Sequence, residues 1–282
     1  MWLVVLCSIL VSFTASASVS VTARIHDIDY GQGDQKSFLL LSSGDVAWFK
    51  RSTNKSRTEL FERLRRTKEV LSFTLNESNE LIATKSLPQQ SIKKNKLKPQ
   101  FSVTEDLYVP TIVESEELAK TYFAEAREVE RTSQCFNRAH VWSYEWFKNH
   151  GVLSNKTWIF FTRRYIREFE YNWWFHVSPS LAVKDGAVVR EKLMDKEFSS
   201  RPLNTKEWTD MFMRDKANCP RVQKYSDYAN YPESESCFLM RSSMFFHQPF
   251  DLETHDTYGV FKSNWVDEDL KQAFLETFDA DF

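Results

Sequence analysis

The feature that most constrains this fold is an Asp-Gly pair between two β-rich runs: YNWWFHVSPSLAV, then Asp185-Gly186, then AVVREKLMD. Such a pair is a strong signal for a two-residue type I′ turn, because both loop positions need positive φ. With Asp185 and Gly186 as the loop, Lys184 faces Ala187, and counting back in register sets His176 directly opposite Asp195. Directly opposed side chains on one sheet face have Cβ atoms about 4.5–5.5 Å apart. A carboxylate that close accepts the imidazole N–H, fixes its tautomer and stabilises the imidazolium.

A nucleophile for this pair is supplied by Cys135, which opens CFNRAHVWSYEWFKNHG. That segment reads as a buried helix, with few breakers, apolar residues around most of its circumference and a His150-Gly151 C-terminal cap. The thiol then sits at a helix start, where free N–H groups and the positive end of the dipole stabilise negative charge. The bland alternative is an inert buried thiol beside an ordinary core sheet. A paired His and Asp downstream favours catalysis over it.

Three segments, CFNRAHVW around Cys135, WWFHVSP around His176 and LMDKEFSSRPLNTKEW around Asp195, give the chain a resemblance to the bacterial protein-glutamine glutaminases. The resemblance runs from Cys135 to Trp208, with the motifs in the family's order. It implies a secreted protein deamidase with a transglutaminase-like or papain-like core. It also implies Cys135 as nucleophile, His176 as general base and acid, and Asp195 as orienter. One departure stands out: the family usually continues its aspartate with Pro-Ser-Leu-Phe, whereas Lys196-Glu197-Phe198 follows Asp195 here, which alters the neighbouring rim. The residue types fit amide chemistry, which needs a thiolate, oxyanion donors and an acid for departing ammonia. By analogy with other thiol acyl-transfer sites, the Cys135 backbone N–H is the first oxyanion donor.

Residues 1–17 read as a signal peptide: an apolar WLVVLCSILVSF too short to span a membrane, then Thr14-Ala15-Ser16-Ala17 resembling a cleavage site, although without a positive n-region. Secretion or periplasmic export is expected, with no membrane attachment of the mature form; the alternatives are a true start upstream of residue 1 or a retained, uncleaved anchor. Cys7 leaves with this segment. Of the remaining cysteines, Cys219 and Cys237 can pair across a Pro-, Tyr- and Ser-rich loop, which leaves Cys135 as the odd free thiol. A formal charge of −2 gives no reason to expect a nucleic-acid partner.

Residues 18–85 read as a small α+β domain, with strands at VSVTARI, KSFLLL, DVAWFK and ELIATKS and a helix over ELFERLRRTKEVLSF. Its place suits either the pro-region found in the glutaminase family or a permanent accessory domain. Residues 86–110 form a polar, basic linker. Residues 111–282 form the catalytic domain, which also carries an acidic-first helix at ESEELAKTYFAEAREVERTSQ, a capping box at Asn204 and Glu207, and an amphipathic tail at SNWVDEDLKQAFLETF.

Other titratable residues take structural readings. His140, five positions past Cys135, is expected as a hydrogen-bonded core or surface histidine. His247, Asp251, Glu253, His255 and Asp256 fit no zinc spacing and read as a polar loop. Glu168 and Glu170 mark a solvated edge. Trp174 shares strand parity with His176 and is expected to wall the substrate cleft.

The expected fold is α+β, a nucleophile helix packed on an antiparallel sheet, with no cofactor and no metal required. The expected function is deamidation of protein glutamines by a monomeric enzyme whose partners are protein or peptide substrates. Thiol proteolysis or transglutaminase-type acyl transfer uses the same residues, and a non-catalytic secreted binding protein is the third reading.

Overall fold

The computed structural model describes residues 18–31, 36–50, 55–87, 108–129, 133–231 and 233–279. The expected signal peptide and most of the expected linker lie outside these residues. The elements in chain order are β1 (Ser18–Ala23), β2 (Ile25–Asp29), β3 (Ser37–Leu41), β4 (Val46–Phe49), α1 (Lys55–Thr67), β5 (Leu71–Asn76) and β6 (Leu81–Ser86). They continue as β7 (Ile112–Val113), α2 (Glu116–Glu125), α3 (Cys135–His150), β8 (Asn155–Phe161), α4 (Arg163–Phe169), β9 (Phe175–Asp185) and β10 (Val188–Leu193). The C-terminal part holds α5 (Thr205–Phe212), β11 (Arg221–Val222), α6 (Tyr225–Asn230), β12 (Cys237–Ser243), α7 (Pro249–Tyr258) and α8 (Asp267–Phe278). No helix among the described residues is long and apolar enough to cross a membrane.

The frame of the C-terminal half is a six-stranded sheet in the order β10-β9-β8-β12-β11, with β7 added parallel to β9. Its long strands are antiparallel, as in an α+β fold. Helix α3 packs against β9 and α8. Its apolar side chains Val141, Trp142 and Trp146 join Leu181, Val183 and Phe274 in one core. The opposite core is aromatic, built from Trp158, Phe160, Trp174 and Phe175, and it takes in Phe38, Val46 and Trp48 from β3 and β4. The N-terminal unit therefore shares a core with the six-stranded sheet besides having one of its own around Phe61, Leu71 and Phe73. Within that unit the expected helix stops early: α1 ends at Thr67, Lys68 takes φ 54°, and LSFTLN becomes β5. The alternating burial of Leu71, Phe73 and Leu75 explains the switch, because period-two apolarity buries a strand face but not a helix stripe.

The hairpin register corrects the sequence expectation. Asp185 pairs with Val188 and Lys184 with Val189, so Gly186 and Ala187 form the loop and the strands are offset two residues from the expected pairing. Of the two, only Gly186 has positive φ, at 60°, as at the first central position of a type II′ turn. This turn spares Asp185 a left-handed backbone, which costs a non-glycine residue roughly 1–2 kcal/mol. The Asp185 carboxylate instead accepts from Arg190 Nε at 2.8 Å. A two-residue offset leaves every side chain on its expected face, since sheet faces alternate with period two.

Cys219 and Cys237 form a disulfide with a sequence separation of 18. It ties the segment before β11 to the first residue of β12, beside the Leu239 N–H to Pro220 O bond of 2.8 Å. Closing a loop of that length stabilises a chain by about 3 kcal/mol through the unfolded state. The double variant Cys219→Ser, Cys237→Ser is expected to unfold in urea with a loss of that order, and an unchanged midpoint would contradict it.

Candidate active site

Cys135 is the first residue of α3 and carries a half-buried free thiol. The N-cap residue, Gln134, makes no side-chain cap bond, so no side chain competes for the first-turn N–H groups from that position. Gly151 closes the helix at φ 67°, returning its N–H to the Phe147 carbonyl at 2.9 Å. One turn beyond the thiol, buried Arg138 donates to the Ser133 carbonyl and lies over the Phe198 ring. It thereby pins the chain entering the helix.

His176, 3 % exposed, sits on β9, and its Nε2 is 2.7 Å from Asp195 Oδ2. The couple is real but is not a cross-strand pair. Strand β10 ends at Leu193, and Asp195 lies in the turn that follows, held by Met194 N–H to Pro179 O at 2.9 Å and by the reciprocal Leu193–Leu203 bonds of 2.8 and 3.0 Å. The Asp195 carbonyl then accepts from Phe198 N, Ser199 N and Ser199 Oγ, which makes the turn rigid. Lys196, where the glutaminase pattern has proline, bonds the carbonyls of Ala124, in the last turn of α2, and of Ala126, its C-cap. The altered rim is thus a tie to α2.

With Nε2 engaged by the carboxylate, Nδ1 is the ring nitrogen left for the thiol, and Cys135 is near enough to help raise the pKa of the ring. Burial alone disfavours the imidazolium. The Asp195 charge and hydrogen bond, with the Cys135 contact, outweigh it and hold the ring proton up to about pH 9. The ring is walled by Phe212 at 4.4 Å, Phe198 at 5.2 Å, Trp208 at 5.7 Å and Trp173 at 6.2 Å between centroids.

Trp173, partly exposed and stacked at 24° to His176, occupies the place expected for Trp174. Trp174 is fully buried, donates its indole N–H to Leu41 O at 2.7 Å and stacks on His26 at 4.5 Å. The parity argument fails because β9 starts only at Phe175, so the alternation does not extend back through the two tryptophans. Trp208 stands in the NTKEW segment, where no local signal marks it as a partner of Asp195. The capping box, with Glu207 accepting from Asn204 N at 2.9 Å, fixes α5 so that the Trp208 indole reaches Asp195 Oδ2 at 2.8 Å.

His140 is a core residue, its Nδ1 2.7 Å from the buried Lys156 ammonium nitrogen. Burial pushes the His140 and Lys156 pKa values down. Asp251 accepts from the N–H groups of His247 and Gln248 at 2.6 and 3.1 Å and from Lys262 at 2.9 Å, a structural use at the start of α7. Glu170 is exposed and pairs with Lys36 at 2.8 Å.

Residues 115–212, the stretch carrying Cys135, His176 and Asp195, match the protein-family model described as glutaminase. Over that stretch the chain is similar to the glutaminase family. The glutaminase fold extends over most of the chain. A crystal structure of pro-protein-glutaminase superposes with a TM-score of 0.53 at 12 % identity, covering 90 % of this chain and 92 % of that one. The crystal structure of its A47Q2 mutant gives 0.52, again at 12 % identity, over 80 % and 82 %. Comparison with curated protein sequences gives no match.

Proposed function

We propose that this chain deamidates glutamine side chains of proteins through a Cys135 thioester. The observation that carries the reading is the buried His176–Asp195 couple with the half-buried Cys135 thiol beside it, near enough to raise the pKa of the ring. A ring that keeps its proton to about pH 9 is suited to hold the proton taken from a thiol. The sulfur adds to the amide carbon, and the N–H groups at the start of α3 stabilise the oxyanion. His176 passes its proton to the departing nitrogen, ammonia leaves, and a γ-glutamyl thioester remains. Neutral His176 then takes a proton from water, which adds to the thioester carbon. The sulfur leaves with that proton, giving glutamate and the free thiol.

The N-terminal unit is proposed as a pro-region of an exported enzyme. Its β3–β4 turn lies along the segment leading to His176: Trp174 N–H bonds Gly44 O at 3.0 Å and Val46 N–H bonds Asn172 O at 2.8 Å. Gly44 is required there, since it has φ 98° and a Cβ would come within 3.2 Å of the Phe175 ring. Strand β2 adds Asp27–Arg163 and Asp29–Arg167 ion pairs and the His26 Nε2 to Tyr225 hydroxyl bond of 2.7 Å.

Incubation with casein, following ammonia, peptide fragments and cross-linked dimers together, tests the function. Ammonia alone supports deamidation, fragments support a thiol protease, dimers support acyl transfer to amines, and none of the three after removal of the N-terminal unit supports a binding protein. N-terminal sequencing of the active form tests the pro-region. A start near residue 100 supports it, and a start near Val19 in a fully active form removes it.

A further inference from the structure

We infer that Trp208 is a positioning residue of the acyl-transfer site: its indole N–H fixes the Asp195 carboxylate and tempers the pull of that carboxylate on the His176 ring proton. The inference rests on the proposed roles of Cys135 and His176 and adds a fourth member to them.

Asp195 Oδ2 receives two donors, His176 Nε2 at 2.7 Å and Trp208 Nε1 at 2.8 Å, with Asp195 1 % and Trp208 0 % exposed. In such an environment a hydrogen bond to a charged acceptor is stronger than in water and fixes its direction. Other buried tryptophans use neutral acceptors for the same N–H: Trp142 and Trp146 bond the carbonyls of Arg127 and Tyr122 at 3.0 and 2.9 Å, and Trp158 bonds Ser242 Oγ at 2.9 Å. A space-filling indole needs no more than that. Trp208 is instead aimed at the carboxylate that orients the proposed base. One turn later on the same face of α5, Phe212 lies 4.4 Å from the imidazole, so a single helix grips both halves of the His–Asp couple. The balance it sets matters twice. Ammonia departure needs the ring to release its proton, and thioester hydrolysis needs the ring neutral, so a carboxylate with one donor fewer holds the proton too tightly for both steps.

The test is Trp208→Phe, which keeps an aromatic ring and removes the donor, beside Trp146→Phe as a control that loses an equivalent buried N–H far from the couple. Expected for Trp208→Phe is a fall in kcat of about 10- to 100-fold with little change in KM. In a Cys135→Ser background its His176 ring should also titrate at higher pH, while Trp146→Phe changes neither quantity. Equal losses in both variants, or an unchanged His176 titration in Trp208→Phe, would overturn the inference. If Trp208→Phe does not fold, the indole N–H resonance of Trp208 in the intact protein decides. It should move with the same midpoint as the His176 ring, and an indole signal indifferent to that titration would refute the coupling. This measurement uses no substrate, so its failure is distinguishable from a failure of the deamidation reading.

Discussion

Cys135→Ser is expected to lose ammonia release from casein by roughly 10³- to 10⁶-fold while keeping its fold, because no other residue replaces the attacking sulfur. The thiol is only half-buried at the first position of α3, at the edge of the core, and serine is nearly the same size, so stability should change by no more than about 1 kcal/mol. Activity and unfolding measured on the same preparation separate a lost nucleophile from a lost fold. Cys219 and Cys237 are bonded to each other, so neither is a reserve nucleophile.

Asp195→Asn is expected to cost on the order of 10⁴ in kcat, because the isosteric amide keeps the turn but removes the charge that stabilises the imidazolium. The same variant should alter the pH dependence of stability. His176 holds its proton to about pH 9 in the folded protein against an ordinary 6.5. Its contribution is therefore complete below pH 6.5 and is lost as pH rises through about 9, a change on the order of 3 kcal/mol. In a Cys135→Ser background, the chain with Asp195 should lose stability steadily across that window. The Asp195→Asn variant should stay nearly flat there. Parallel curves would show that the carboxylate does not hold the ring proton.

Much of this site was legible because its main members lie in local signals. A Gly after His150 ended α3, and Asn204 with Glu207 opened α5. The Asp-Gly pair announced the hairpin carrying His176. Its register was misread because Gly alone took the positive φ, yet the two-residue offset preserved the faces. The His176–Asp195 contact was therefore expected for a reason that the fold does not use: a turn beyond β10, braced by Leu203, Ser199 and Lys196, delivers the carboxylate. Those braces come from backbone bonding and from α2, which no short window of sequence displays. Strand parity does not place Trp174, because β9 starts only at Phe175 and the partners of its ring, His26 and Leu41, lie far away in the chain. The Trp208 contact with Asp195 is equally hidden in the sequence, since only the packed α5 brings the indole to the carboxylate.

The most direct measurement is a mass spectrum of the active form, acid-quenched during turnover of a glutamine-containing peptide. A peptide adduct lighter by one ammonia and mapped to Cys135, absent from Cys135→Ser, is the predicted result. Ammonia released at the normal rate by Cys135→Ser, with no adduct on residue 135 in either protein, would contradict the account.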